Sequence, residues 1–450
     1  MPAPDLIAAI ATPPGRGGVG IVRVSGSDLS RLIGGIVGLA LKPRVATLAR
    51  FRGAHGELLD EGLALLFPAP ASYTGESVLE LHGHGGPAVL GLILRRCLEL
   101  GARLAEPGEF TKRAFLNDKI DLAQAEAVAD LIDAATATAA RAAVRSLSGE
   151  FSREVEAIVA ALVELRTFTE ATLDFPDEDI EFMRAADAKG KLSALRERLA
   201  AAAARARQGS LLREGLDVVI VGPPNVGKSS LLNRLVGEEV AIVTPIAGTT
   251  RDAIRSSIEI RGIPLHVIDT AGLRHAADEV EKIGIGRTWA AIDRADLALV
   301  ISEAGDPQPF EERSLVAKLP GALPRIMVHN KIDLVGEAPR QTAHDGVRGV
   351  WLSAKTGAGI ALLEDAILDV AGAHEDMEGT FLARARHLQA LAAAHARLAA
   401  AAEHLDAAPA PLELFAEELR EAQGALSRIT GEFSADDLLG EIFSRFCIGK

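Results

Sequence analysis

The run Asp217-Val218-Val219-Ile220-Val221 leads straight into Gly222-Pro223-Pro224-Asn225-Val226-Gly227-Lys228-Ser229, and no other stretch of the 450 residues restricts the fold as strongly. Four consecutive apolar side chains leave no polar face, so the strand is expected to be buried on both sides, as in a parallel sheet. The eight residues from Gly222 to Ser229 match G-x-x-x-x-G-K-S/T, the phosphate-binding loop between a strand and a helix. Its glycines let backbone N–H groups curl inward at a helix N-terminus, where they meet anionic oxygens. Lys228 would reach the β- and γ-phosphates, and the Ser229 hydroxyl would ligate Mg²⁺.

Two later motifs specify the base. Val267-Ile268-Asp269-Thr270-Ala271-Gly272 is an apolar strand ending in an acid and a glycine. Asp269 would hold the magnesium shell, and the Gly272 amide would sense the γ-phosphate. Asn330-Lys331-Ile332-Asp333 follows the apolar run Ile326-Met327-Val328, and Ser353-Ala354-Lys355 follows another short strand. A carboxylate at Asp333 would accept hydrogen bonds from N1–H and the 2-amino group of guanine. Adenine offers neither, so it would leave the acid unpaired. GTP is therefore the expected nucleotide. Its expected contacts are Asn225, Val226, Gly227, Lys228, Ser229, Ser230, Thr244, Thr249, Thr250, Asp269, Thr270, Ala271, Gly272, Asn330, Lys331, Asp333, Ser353 and Ala354.

Water activation is less direct. Small GTPases usually place a glutamine after the D-x-x-G glycine, but Leu273 stands there and cannot hydrogen-bond. Arg251, Arg274, Asp278, Glu279 and Glu281 are the nearby polar candidates. Asn225 and the segment Thr244–Thr250 offer oxygen ligands for a monovalent cation beside the phosphates.

The rest of the chain falls into textures. Residues 1–117 mix short strands, Gly20–Val24, Gly62–Leu66 and Val78–His82, with an apolar helix over Ala88–Leu100. Residues 118–212 carry helical periodicity and no strand signal. Three helices fit there, with Leu122, Ala125, Val128, Ala129 and Ile132 on one face. Residues 213–373 alternate strands and helices, and 374–450 return to helix. The expected fold is thus α/β plus all-α: an N-terminal α/β domain, then a helical domain interrupted by an inserted Ras-like P-loop G domain. A net charge of −14 argues against a broad basic surface for nucleic acid. Two distant cysteines build no disulfide framework. There is neither a leader pattern nor an apolar run of the roughly 18 residues a membrane helix needs. A cytoplasmic protein is expected, with no membrane association.

Asn225, Gly248-Thr249-Thr250-Arg251-Asp252 and Asp269-Thr270-Ala271-Gly272-Leu273-Arg274 resemble the Era-related translation GTPases. Three further segments narrow this: Ala11-Thr12-Pro13-Pro14-Gly15-Arg16-Gly17-Gly18-Val19-Gly20, Phe115-Leu116-Asn117-Asp118-Lys119-Ile120-Asp121-Leu122 and Phe446-Cys447-Ile448-Gly449-Lys450. With them the whole chain resembles the MnmE (TrmE) family of tRNA modification GTPases. The resemblance implies a homodimer formed through the N-terminal domain. It implies an MnmG-like flavoprotein partner carrying FAD, in a heterotetramer. It also implies a carboxymethylaminomethyl-type group installed at C5 of the wobble uridine of certain tRNAs. The carbon would come from 5-formyl-tetrahydrofolate or a related reduced folate. Asn225, Thr244, Ile246 and Thr249 would surround K⁺, which stimulates hydrolysis, while Ser229 and Thr250 bind Mg²⁺. Glu281 would position the water, with Lys228 and Arg251 as further catalytic groups. Arg23, Glu80, Lys119 and Lys450 would bind folate.

The residues themselves fit a folate site in the N-terminal domain. Glu80 and His82 share a strand face by alternation, and Gly83–Gly86 leads into a helix N-terminus. His82 and His84 lack a third ligand for a metal. Cys447, beside Phe446 and Ile448, reads as a small apolar residue; in the resemblance it would line the folate pocket or join the chemistry. Two other functions stay open: an Era-like ribosome-assembly switch that binds rRNA, and a self-contained folate-dependent methyltransferase regulated by GTP.

Overall fold

The computed structural model describes residues 5–174, 187–236, 255–269, 292–305, 319–344, 347–373, 379–407, 410–432, 436–444, 446, 447 and 449. They group into two compact units. One comprises Met1–Ala129, Ser146–Leu192 and Ala396–Lys450, the other Asp130–Arg145 and Ser193–His395.

The first unit is built on six strands: β1 (Ile7–Ile10), β2 (Gly17–Gly26), β3 (Thr47–Arg52), β4 (Leu58–Phe67), β5 (Ser77–Gly85) and β6 (Arg103–Leu104). Their order is β3-β4-β5-β2-β1-β6. All neighbours run antiparallel except β1 and β6. The helix Pro87–Glu99 starts with proline at its first turn, where no N–H is required. Its Leu90, Ile93 and Cys97, at helical spacing, enter a core with Val22, Val24, Phe51, Leu79 and Leu81.

The described residues of 118–212 form four helices where periodicity predicts three: Leu122–Asp133, Ala137–Leu147, Glu150–Asp174 and Ala188–Glu214. One break falls between residues 147 and 150, where no proline marks it and Gly149 turns the chain at φ +80°. Leu122 and Ala125 are buried as expected, but Ile132, in the last turn of its helix, is 45% exposed. In the first unit the helix Glu150–Asp174 packs on the helix Leu412–Thr430, and Arg166 Nη1 donates to Gln423 Oε1 at 2.6 Å. The helix Asp436–Ser444 closes a small apolar cluster of Leu439, Ile442, Phe443 and Phe446 on Leu122 and Ala125.

The second unit holds seven strands: β7 (Leu216–Val221), β8 (Arg255–Ile260), β9 (Ile263–Asp269), β10 (Leu297–Glu303), β11 (Arg325–Asn330), β12 (Arg340–His344) and β13 (Val347–Trp351). The order is β12-β13-β11-β10-β7-β9-β8, parallel except at the two edges, β12 and β8. Val218 and Ile220 of β7 point into one apolar cluster, Val219 and Val221 into another. That explains its uninterrupted apolar sequence: both sheet faces are covered. In such open sheets, ligand sites gather at the carboxyl ends of the parallel strands.

The segments leading into and out of this sheet meet at one carboxylate. Asp130, its side chain 7% exposed, accepts hydrogen bonds from Arg213 Nε at 2.9 Å and Arg384 Nη2 at 2.7 Å. Arg145 Nε adds a bond to the carbonyl of Thr380 at 2.7 Å.

Candidate nucleotide and folate sites

β7 ends at Val221, and the helix Lys228–Val236 begins immediately after the loop. The Leu231 N–H donates to Gly227 O at 2.8 Å, so Gly227 caps the helix whose N-terminus abuts the loop. Asn225 holds φ +64°, which asparagine tolerates better than most residues, and Gly227 holds φ +97°. A side chain at Gly227 would also collide with Asn330 Nδ2, 2.3 Å from an ideal Cβ. Lys228 Nζ donates to the carbonyls of Gly222 (2.9 Å) and Pro223 (2.7 Å), which hold the ammonium across the loop mouth. The backbone of Asp269 ends β9, in the strand paired with β7.

The base-side motifs join the same carboxyl edge. Asn330, 2% exposed, donates through Nδ2 to Val226 O at 2.7 Å and accepts at Oδ1 from the Ala354 N–H at 2.9 Å. Its amide therefore ties the phosphate loop to the Ser353–Ala354 segment. Ser353 Oγ donates to Asp333 Oδ1 at 2.6 Å and itself accepts from the Thr356 N–H at 3.2 Å. Asp333 is exposed, so its carboxylate is oriented on one side and open on the other. Lys331, at φ +68°, pairs with Glu303. Asn225, Val226, Gly227, Lys228, Asn330, Lys331, Asp333, Ser353 and Ala354 thus lie together at the carboxyl ends of β7, β11 and β13. Ser229 and Ser230 sit in the first turn of the helix. Thr244, Ile246, Thr249, Thr250, Arg251, Thr270, Ala271, Gly272 and Glu281 lie outside the described residues, as does the Asp269 side chain.

In the first unit Arg23 and Glu80 are register partners across β2 and β5. Arg23 Nη2 and Nε lie 2.9 and 3.0 Å from Glu80 Oε1, while His82 Nε2 is 3.0 Å from Glu80 Oε2. Arg23 Nη1 also bonds Gly449 O at 3.4 Å, which brings the C-terminal tail to this carboxylate. The tail is held further by Gly108 N–H donating to Cys447 O at 3.4 Å. Cys447 is exposed. The guanidinium lies 5.7 Å from the Tyr73 ring centre and 5.8 Å from that of Phe110. Tyr73 Oη shares a 2.8 Å hydrogen bond with Thr111, and burial pushes its phenol above the ordinary range. Lys119 bonds the Pro70 carbonyl at 3.2 Å, on the segment that carries Tyr73. Lys450 lies outside the described residues. Sequence reading missed Tyr73 and Phe110, which meet Arg23 only through the fold, and Thr111, which bonds Tyr73. No group of three or more His, Cys, Asp or Glu arranged for a metal occurs among the described residues.

A G-x-x-x-x-G-K-S loop between strand and helix at the carboxyl edge of a parallel sheet, tied by Asn330 to the Asn330–Asp333 segment, defines a P-loop GTPase. The family model described as GTP-binding protein TrmE N-terminus matches residues 6–119, and that of the MnmE helical domain matches 122–447. The tRNA modification GTPase MnmE of Thiobacillus denitrificans is 61% identical over 449 residues, covering 100% of this chain and 99% of that protein. Its counterpart in Azoarcus sp. is 61% identical, covering 99% and 98%. That of Chromobacterium violaceum is 58% identical, covering 99% of both. Among solved structures, Aquifex aeolicus Era bound to GDP and AlF4⁻ is 28% identical over 40% of this chain and 66% of that one, with a TM-score of 0.27. The chain belongs to the MnmE family of tRNA modification GTPases.

Proposed function

We propose that this protein hydrolyses GTP, under stimulation by K⁺, to drive modification of the wobble uridine of certain tRNAs at C5. It works with an MnmG-like flavoprotein whose FAD lies in the partner, and it supplies a one-carbon unit held as a reduced folate. The observation that carries the folate part is the Glu80 carboxylate, fixed by Arg23 and His82 beneath the tail carbonyl of Gly449. An oriented carboxylate beside Tyr73 and Phe110 suits the flat amino-pyrimidine edge of a pterin. Arg23, Lys119 and Lys450 would meet the carboxylates of the glutamate tail. The tail position of Cys447 supports a role in lining that pocket.

In the G domain, Ser229 with Thr250 would hold Mg²⁺, and Asn225 with Thr244, Ile246 and Thr249 would hold K⁺. The left-handed turn at Asn225 supports this, because it places a short oxygen-bearing side chain inside the phosphate loop. The cations neutralise charge developing on the phosphates. Lys228 binds the terminal phosphates, Arg251 assists, and Glu281 orients the water that Leu273 cannot. Domain limits of 1–117, 118–212, 213–373 and 374–450, a homodimer through the N-terminal domain, a heterotetramer with the flavoprotein and a cytoplasmic setting complete the reading. No helix among the described residues is long and apolar enough to cross a membrane. An Era-like rRNA switch would leave the region matched at residues 6–119 without a task.

Titration of the purified protein with 5-formyl-tetrahydrofolate tests the proposal. We expect saturable binding that Glu80→Gln and Arg23→Ala weaken while GTP affinity is kept. Absence of folate binding by a protein that still binds GTP would overturn the folate role.

A further inference from the structure

Three side chains far apart in sequence form one ladder across β12, β13 and β11. Arg340 is the register partner of Trp351, and Trp351 of His329. The Arg340 guanidinium carbon lies 4.2 Å from the Trp351 ring centre. On the other side the His329 ring stacks on the indole, with 4.2 Å between centroids and 25° between planes. His329 Nδ1 is 3.1 Å from Ser302 Oγ on β10, which fixes the ring. Burial, with Arg340 nearby, holds this imidazole below its ordinary range, so the indole faces one cation and one neutral ring. The indole lies over Gly349: a Cβ there would sit 2.9 Å from Trp351 Cζ3.

The ladder stands directly behind the base-side loops. His329 immediately precedes Asn330, and Trp351 comes two residues before Ser353. The strand ends are joined by Leu352 N–H donating to His329 O at 2.9 Å and Ile332 N–H donating to Leu352 O at 3.3 Å. Any tilt of Trp351 relative to His329 therefore shifts Asn330 against Ser353, and Ser353 against Asp333. We propose that Trp351 and Arg340 are positioning residues of the guanine pocket, holding the Asn330–Asp333 and Ser353–Ala354 loops at the spacing that binds the base. Neither touches the nucleotide; they act through the two strand ends. The inference rests on the assignment of Asp333 to guanine.

The test uses the full-length protein in K⁺ and Mg²⁺ with a fluorescent GDP analogue and steady-state GTP hydrolysis. Trp351→Leu should weaken GDP binding about tenfold, equivalent to about 1.4 kcal/mol, mainly through faster release. KM for GTP should rise with it, while kcat at saturation changes less than about twofold. Trp351→Phe, which keeps a stacking ring, should restore affinity to within about twofold. Arg340→Met, at an exposed edge position where folding is safe, should raise the dissociation constant about threefold. Equal losses in Leu and Phe variants, unchanged affinity in the Arg340→Met and Trp351→Leu proteins, or a fall in kcat with binding intact would each overturn the proposal. Asp333→Asn serves as the control. If it leaves guanine preference intact, the pocket assignment fails and the ladder's role with it. If it shifts preference while the Trp351 series stays silent, the ladder alone is refuted.

Discussion

The Thr136 hydroxyl donates a 2.9 Å hydrogen bond to the carbonyl of Gly262, at the tip of the β8–β9 hairpin. The same oxygen accepts from the Ala139 N–H at 3.0 Å and so caps the helix Ala137–Leu147. This hairpin links the segment carrying Thr250 to the strand ending at Asp269. A buried side chain thus pins the connection between the two segments proposed to sense the nucleotide to a helix outside the sheet.

Thr136→Ala removes a cap, worth about 1 kcal/mol, and leaves a buried carbonyl without its donor, at about 1–3 kcal/mol. We expect a total loss of about 2–4 kcal/mol, read as a lower thermal midpoint, with Thr136→Ser close to the parent. An alanine variant that melts with the parent would show that the hairpin tip is held by other contacts.

The first unit carries an acid-sensitive cluster. A hydrogen bond from Arg103 is the main influence holding Asp5 below the usual carboxylate range. For Glu109 burial pushes the carboxyl up, but hydrogen bonds from Arg103, the Glu106 N–H and Arg113 outweigh it. Both carboxyls are thus lowered in the folded state. Their stabilisation is complete above the ordinary carboxyl value of about 4 and disappears as pH falls through the folded values. Glu109→Gln should therefore melt well below the parent at neutral pH, and the gap should narrow toward pH about 3. A gap independent of pH would mean that charge at Glu109 is irrelevant.

How much of this was legible in the sequence varied with the range of the interaction. The phosphate loop could be read because strand, glycines and lysine are contiguous, and the parallel sheet because β7 lacks alternation. The helix count fell short because short breaks, such as the one at Gly149, carry no proline and hardly interrupt the helical periodicity. Arg340, Trp351 and His329, like Tyr73 beside Arg23, meet only through strand order, which local pattern does not encode. Glu80 and His82 were visible as a pair because alternation along a single strand suffices.

Asp333→Asn turns one carboxylate oxygen into an amide donor while Ser353 still orients the other side. Guanine's N1–H then faces a donor, whereas xanthine offers a carbonyl in place of the 2-amino group. Competition binding should show lower GTP affinity and a gain for xanthosine triphosphate, together changing the ratio by about tenfold or more. A preserved ratio would remove Asp333 from base recognition.

Replacing K⁺ by Na⁺ at constant ionic strength should slow hydrolysis by about tenfold or more if the Asn225 turn holds the larger ion. Electrostatic stabilisation of phosphoryl transfer commonly contributes factors of this size or greater. Steady-state turnover in the two salts decides it, and equal rates would exclude a selective cation site at Asn225.

Glu281 makes the sharpest demand on the proposed chemistry, since Leu273 removes the usual water-orienting amide. A carboxylate that acts only on the attacking water contributes to the transition state and not to ground-state binding. Glu281→Ala should then lower kcat by about 10²-fold or more, the range general-base and water-orienting groups supply, and leave the dissociation constant for GTP within about twofold. Glu281→Gln keeps the shape and one acceptor, so it should fall between the two. Should affinity and turnover fall together in the alanine variant, Glu281 supports the nucleotide-bound fold, and the water must be oriented by another group such as Arg251 or Glu279.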